Sequence, residues 1–63
     1  MKFVFLRDEN GELYALNPEK VISVYDNKDP DMNAKTEILA GNGRYYAQQN
    51  MGDIVAALER NGK

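Results

Sequence analysis

The chain has 63 residues, a formal net charge of −2 from 10 acidic and 8 basic side chains, and a hydrophobic share of 43%. That length makes one domain near the lower limit at which an apolar core offsets chain entropy unaided, and the lack of Cys and His excludes disulfides, thiolate metal sites and the commonest general base. The basic residues are scattered (Lys2, Arg7, Lys20, Lys28, Lys35, Arg44, Arg60, Lys63), which argues against a phosphate-binding footprint; with no charged-then-apolar leader and no apolar run near about 18 residues, the chain reads as soluble and cytoplasmic, without a membrane span.

Residues 2–7 form a β-branched and aromatic run that ends in Asp8-Glu9-Asn10-Gly11, and residues 12–17 resume the strand pattern. Asn-Gly suits a two-residue turn whose central positions both need positive φ. With Asn10-Gly11 as that turn, Asp8 faces Leu13, Arg7 faces Tyr14, Leu6 faces Ala15 and Phe5 faces Leu16. Alternation then puts Val4, Leu6, Leu13 and Ala15 on one face and Phe3, Phe5, Tyr14 and Leu16 on the other.

Asn17-Pro18-Glu19 is a turn, because Pro18 pre-sets φ and biases Asn17 to extended backbone. Residues 20–26 follow as a third strand, with Val21, Ser23 and Tyr25 on one side and Ile22 and Val24 on the other. Residues 26–33 are the longest polar stretch and read as an exposed, mobile loop. Within it Asp29, Asp31 and Asn33 alternate like the first ligands of an EF-hand loop, but Ala34 and Ala40 stand where such a loop needs Gly and a bidentate Glu. No metal site is expected.

Residues 35–40 and 44–48 give a second hairpin. With Asn42-Gly43 as its turn, Ala40 faces Tyr45, Leu39 faces Tyr46 and Ile38 faces Ala47. Asn10-Gly11-Glu12-Leu13-Tyr14-Ala15 is echoed 32 positions later by Asn42-Gly43-Arg44-Tyr45-Tyr46-Ala47, two copies of one hairpin grammar rather than a solenoid. The chain closes with a helix over about residues 51–60: Asn50 is a good N-cap, Asp53 suits the positive helix end, and Gly62 is a stop signal. Met51, Ile54, Val55 and Leu58 fall on one helical stripe.

Catalytic chemistry has little to work with. Ser23, Thr36 and the four Tyr are the hydroxyls, none has a His to activate it, and the acids Glu9 and Glu12 flank a hydrated turn. The chain reads as a non-enzyme without a cofactor. Tyr14, Tyr25, Tyr45 and Tyr46, with Arg7 and Arg44 nearby in sequence, have two readings: a stacking platform for bases or partner, or ordinary cross-strand packing. One amphipathic helix covers one sheet face, yet the first hairpin presents apolar residues on both. A strongly curled sheet, or an associating partner, must cover the rest.

The apolar first strand into Arg7 and Asn10-Gly11-Glu12, then Leu16-Asn17-Pro18-Glu19 leading to Val21 and Ile22, then Ile38 to Gly43 and an amphipathic C-terminal helix, together resemble small flagellar and swarming-motility proteins of the FlbD type. The order of strand, Asn-Gly turn, strand and helix is also similar to a truncated LytTR-type DNA-binding domain. Neither resemblance implies catalytic residues.

The expected architecture is α+β, mainly β: about five antiparallel strands in meander order, as a curled sheet or half-barrel, with a C-terminal helix on one face. The expected function is a small protein-interaction module, a homodimer or an adaptor, using an aromatic face of Phe3, Phe5, Tyr14, Leu16, Tyr25 and Tyr46. The alternative is a nucleic-acid binder using Arg7, Arg44, Lys20 and the tyrosines.

Overall fold

A computed structural model describes residues 2–61. Its elements are β1 (Val4–Arg7), β2 (Leu13–Leu16), a short 3-10 turn (Pro18–Lys20), β3 (Val21–Asp26), β4 (Thr36–Ala40), β5 (Gly43–Ala47) and α1 (Met51–Asn61). All strand pairings are antiparallel. The expected α+β architecture is present, but its five strands do not make one meander sheet: they form a β1-β2 hairpin and a separate β3-β4-β5 sheet.

The break falls at Asn17, whose side-chain oxygen accepts from the Glu19 amide at 3.0 Å and caps the 3-10 turn. Pro18 has no amide to donate to a ladder. The chain leaves β2 there and starts a new sheet. The two sheets are tied where β1 passes the end of β5, since the Gln48 amide donates to the Arg7 carbonyl at 2.9 Å and the Arg7 amide donates to Gln49 Oε1 at 3.3 Å.

The first hairpin closes one residue away from the Asn10-Gly11 register expected from its sequence. Val4 pairs with Leu16, Phe5 with Ala15, Leu6 with Tyr14 and Arg7 with Leu13. The cause is Asp8. Its Oδ1 accepts from the Asn10 and Glu12 amides, both at 2.9 Å, while its carbonyl accepts from the Gly11 amide at 3.0 Å. This makes a three-residue loop over Glu9, Asn10 and Gly11, with Gly11 in the left-handed region at φ +81°.

Because side chains alternate with a period of two, that slip inverts the relation between the strands. Val4, Leu6, Tyr14 and Leu16 now face inward, and Phe5, Leu13 and Ala15 face outward.

The second hairpin slips by two. Ala40 pairs with Gly43, so Gly41-Asn42 forms the turn and Gly43, at φ +149°, opens β5. A shift of two leaves the faces unchanged: Thr36, Ile38, Ala40, Tyr45 and Ala47 share the inner side. In β3 the register shifts between Val21 and Ser23. This bulge directs Ile22 outward, 66% exposed, and lets both Val21 and Val24 pack on the core, whereas strict alternation put Ile22 and Val24 together.

The core between the sheets is small: Val4, Leu6, Leu16, Ile38, Ala47 and the helix residue Ile54 are buried, with Val21, Val24, Tyr14, Tyr45, Ala57 and Leu58 packed around them. Each fully buried aliphatic side chain contributes about 1.5–3 kcal/mol. Thr36 is also fully buried, and its hydroxyl donates to the Gln49 carbonyl at 2.8 Å, fixing the segment that leads into α1.

The helix starts as its sequence indicates, for Asn50 Oδ1 accepts from the Asp53 amide at 2.8 Å. Its buried stripe differs from expectation: Ile54, Ala57 and Leu58 pack inward, while Val55 is 38% exposed and Met51, half-buried, lies outside the core cluster. At the far end Asn61 Nδ2 donates to the Ala57 carbonyl at 2.9 Å, folding the side chain back onto the last turn. The stop signal Gly62 lies outside the described residues. Among the described residues, no helix is long and apolar enough to cross a membrane.

Candidate functional site

The six residues singled out as an aromatic face separate into three places. Phe3 and Phe5 are 47% and 65% exposed on the outer side of the β1-β2 hairpin. Tyr14 and Leu16 lie on the inner side, where Leu16 is part of the core. Tyr25 and Tyr46 flank Glu37 in one cross-strand row on the outer side of the β3-β4-β5 sheet. The single face drawn from Phe3, Phe5, Tyr14 and Leu16 is therefore not formed, and the one-residue slip at Asp8 is the reason.

What the slip brings outward instead is Leu13, 56% exposed, together with Ala15. Phe5 sits directly across from Ala15, and Leu13 lies on the next outward-facing pair, across from Arg7. Such diagonal neighbours are within reach of long side chains. Phe5, Leu13 and Ala15 thus share one apolar face of a two-stranded ribbon, and alternation extends it to Phe3 just before β1. Arg7 borders it, its guanidinium donating to the Gly11 carbonyl at 3.1 Å. Sequence reasoning missed Leu13 and Ala15, although Asp8 and Gly11 stand at the first and fourth positions that a type I turn prefers.

The outer side of the second sheet is more polar. Arg44 Nε lies 2.9 Å from Glu37 Oε2, a surface pair that contributes under about 1 kcal/mol. These two, with Val24, Tyr25, Lys28 and Met51, line an open cleft of about 550 Å³. A further cleft of about 330 Å³ lies between the first turn and β5, with Asp8, Glu9 and Tyr14 on one side and Arg44, Tyr45 and Tyr46 on the other.

Tyr14 is held at both its hydroxyl and its ring. Its hydroxyl donates to the Tyr46 carbonyl at 2.7 Å, joining the two sheets across the same 32-residue offset that relates the sequence echo. Its ring stacks on Tyr45 with centroids 5.7 Å apart and planes inclined by 21°. Burial, reinforced by the charges of Asp8 and Glu9 and by Tyr45, pushes its pKa up to about 12.

The loop between β3 and β4 spends its polar groups on itself. Asn27 Oδ1 accepts from the Asp29 amide at 3.2 Å, Asp29 Oδ1 accepts from the Asp31 amide at 3.0 Å, and Asn27 Nδ2 donates to the Ala34 carbonyl at 2.9 Å. Among the described residues, no group of three or more acidic side chains is placed to hold a metal ion. Searches against protein-family models, curated proteins and solved structures find no match to this chain.

Proposed function

We propose that the protein is a small non-enzymatic interaction module that self-associates through the outer face of the β1-β2 hairpin. The observation that carries this is the exposure of Phe5 and Leu13 on one ribbon face, with Phe3 exposed just before β1. Aromatic side chains that project from a rigid strand lose little entropy on contact and dominate interface energetics. A second copy is the favoured occupant because a 63-residue chain has a small core, and a two-fold contact would bury on each copy the apolar surface that its fold leaves open. The protein reading is favoured over the nucleic-acid one because Arg44 is paired with Glu37 and Arg7 is held by the Gly11 carbonyl.

Sedimentation velocity across a wide concentration range tests this. Wild type should shift from monomer to dimer, while Phe5→Ser and Leu13→Ser should stay monomeric with essentially unchanged circular dichroism. A wild type that remains monomeric at millimolar concentration rules out the dimer, and salt-sensitive retention on DNA would favour the nucleic-acid reading.

A further inference from the structure

We propose that the cleft between the Asp8–Gly11 turn and β5 binds an alkylated ammonium group, the head group shared by a methylated lysine side chain and by free choline-like cations. It goes beyond the dimer contact and uses the opposite face of the first hairpin. Three tyrosines and two carboxylates line one concavity of about 330 Å³. That is near the low end of ligand pockets and suits a head group better than a large ligand.

The aromatic wall is fixed before any ligand arrives. Tyr14 is held at its hydroxyl by the Tyr46 carbonyl and at its ring by Tyr45, so little side-chain freedom remains to be lost on binding. Asp8 is equally fixed by the two amides that its Oδ1 accepts from.

The charge balance selects the sign of the ligand. Arg44 is the one cation among the described residues lining the cleft, and its guanidinium is engaged by Glu37 at 2.9 Å. Among the described residues that is the one ion pair, which leaves Asp8 and Glu9 without a cationic partner. Both carboxylates stand on the same concavity as the Tyr14 ring, and after burial they contribute to the upward displacement of its pKa.

The chemistry of the walls also selects the kind of cation. A bare ammonium is strongly hydrated and needs several convergent acceptors to replace its water, whereas this cleft sets three tyrosines beside its two carboxylates, and Asp8 Oδ1 is already shared by two backbone amides. An alkylated ammonium is weakly hydrated, spreads its charge over methyl groups and is attracted by aromatic rings without hydrogen bonds.

The test is an amide-shift titration of the isotopically labelled full chain with tetramethylammonium, choline, a trimethyl-lysine peptide and 3,3-dimethylbutan-1-ol, the neutral isostere of choline. Shifts should centre on residues 8–11 and 44–46, and choline should bind about five- to thirtyfold more tightly than its isostere, the range expected of a partly desolvated cation–aromatic contact. Tighter binding of the peptide would identify a protein source, and tighter binding of choline a small-molecule source. Glu9→Gln and Tyr46→Leu should each weaken binding severalfold while leaving the fold intact. Equal binding of choline and its isostere, which needs no variant to observe, would overturn the proposal, as would shifts elsewhere on the chain.

Discussion

Replacing Tyr14 by Phe deletes one oxygen and, with it, the bond from a β2 side chain to the β5 backbone. At pH 7 the variant loses the 2.7 Å bond to the Tyr46 carbonyl. The net loss of such a bond is about 0.5–1.5 kcal/mol, with more added if the carbonyl is left dry. An expected loss of about 1–2 kcal/mol is a large share of the roughly 3–9 kcal/mol available to a chain of this length.

The same oxygen predicts how that difference varies with pH. A tyrosine in the unfolded chain releases its proton near about 10, whereas folded Tyr14 holds it to about 12. The folded pKa is the higher one, so its contribution is fully present below about pH 10 and is lost as pH rises towards about 12. Two units correspond to at most about 2.7 kcal/mol, and partial exposure of the ring reduces this to about 1–2 kcal/mol.

Phe has no proton to lose, so wild type should lose more stability than Tyr14→Phe over that window and the two should converge. Urea unfolding of both proteins from pH 7 to pH 12, followed by circular dichroism, measures the gap. A gap below about 0.5 kcal/mol at pH 7, or one that stays constant or widens between about pH 10 and 12, would refute the reasoning.

Other substitutions test the turns and caps. Gly11→Ala should cost about 1–2 kcal/mol because Gly11 sits at φ +81°. Gly41→Ala should cost less than about 0.5 kcal/mol, since an added Cβ would meet only the Lys20 carbonyl at an ordinary 3.8 Å; equal costs in thermal unfolding would contradict the assigned turns. Thr36→Val conserves shape but takes away the donor to the half-buried Gln49 carbonyl, and a loss of about 1–2 kcal/mol is expected in urea unfolding. Asn50→Ala removes the helix cap and should cost about 0.5–2 kcal/mol, with faster exchange of the Asp53 amide as the local sign.

The order of five antiparallel strands and a helix was legible because hydrophobic periodicity and turn residues are local signals. Register was not, because it was settled by a competition that composition does not display. At Asp8 a side chain captured two amides and added one residue to the loop, which moved Leu16 into the core and Leu13 to the surface. At Gly41 the error was two residues and left every face correct. Ile22 shows a third case, where a bulge resets the phase within a strand. The candidate surface inherits this pattern: Phe3 and Phe5 were legible as exposed because β1 was read directly, and Leu13 was not because it depends on pairing.

The paired bonds between Arg7 and the Gln48-Gln49 segment have a further meaning for how the chain assembles. Both hairpins close across short loops, so their ladders form at small entropic cost, but Arg7 and Gln49 are 42 positions apart. The two ladders can exist before that junction does. That separation leads to the prediction that the Arg7 junction closes late and opens before the ladders do. Amide exchange should grade accordingly, with the Gln48 amide less protected than those in the middle of β4.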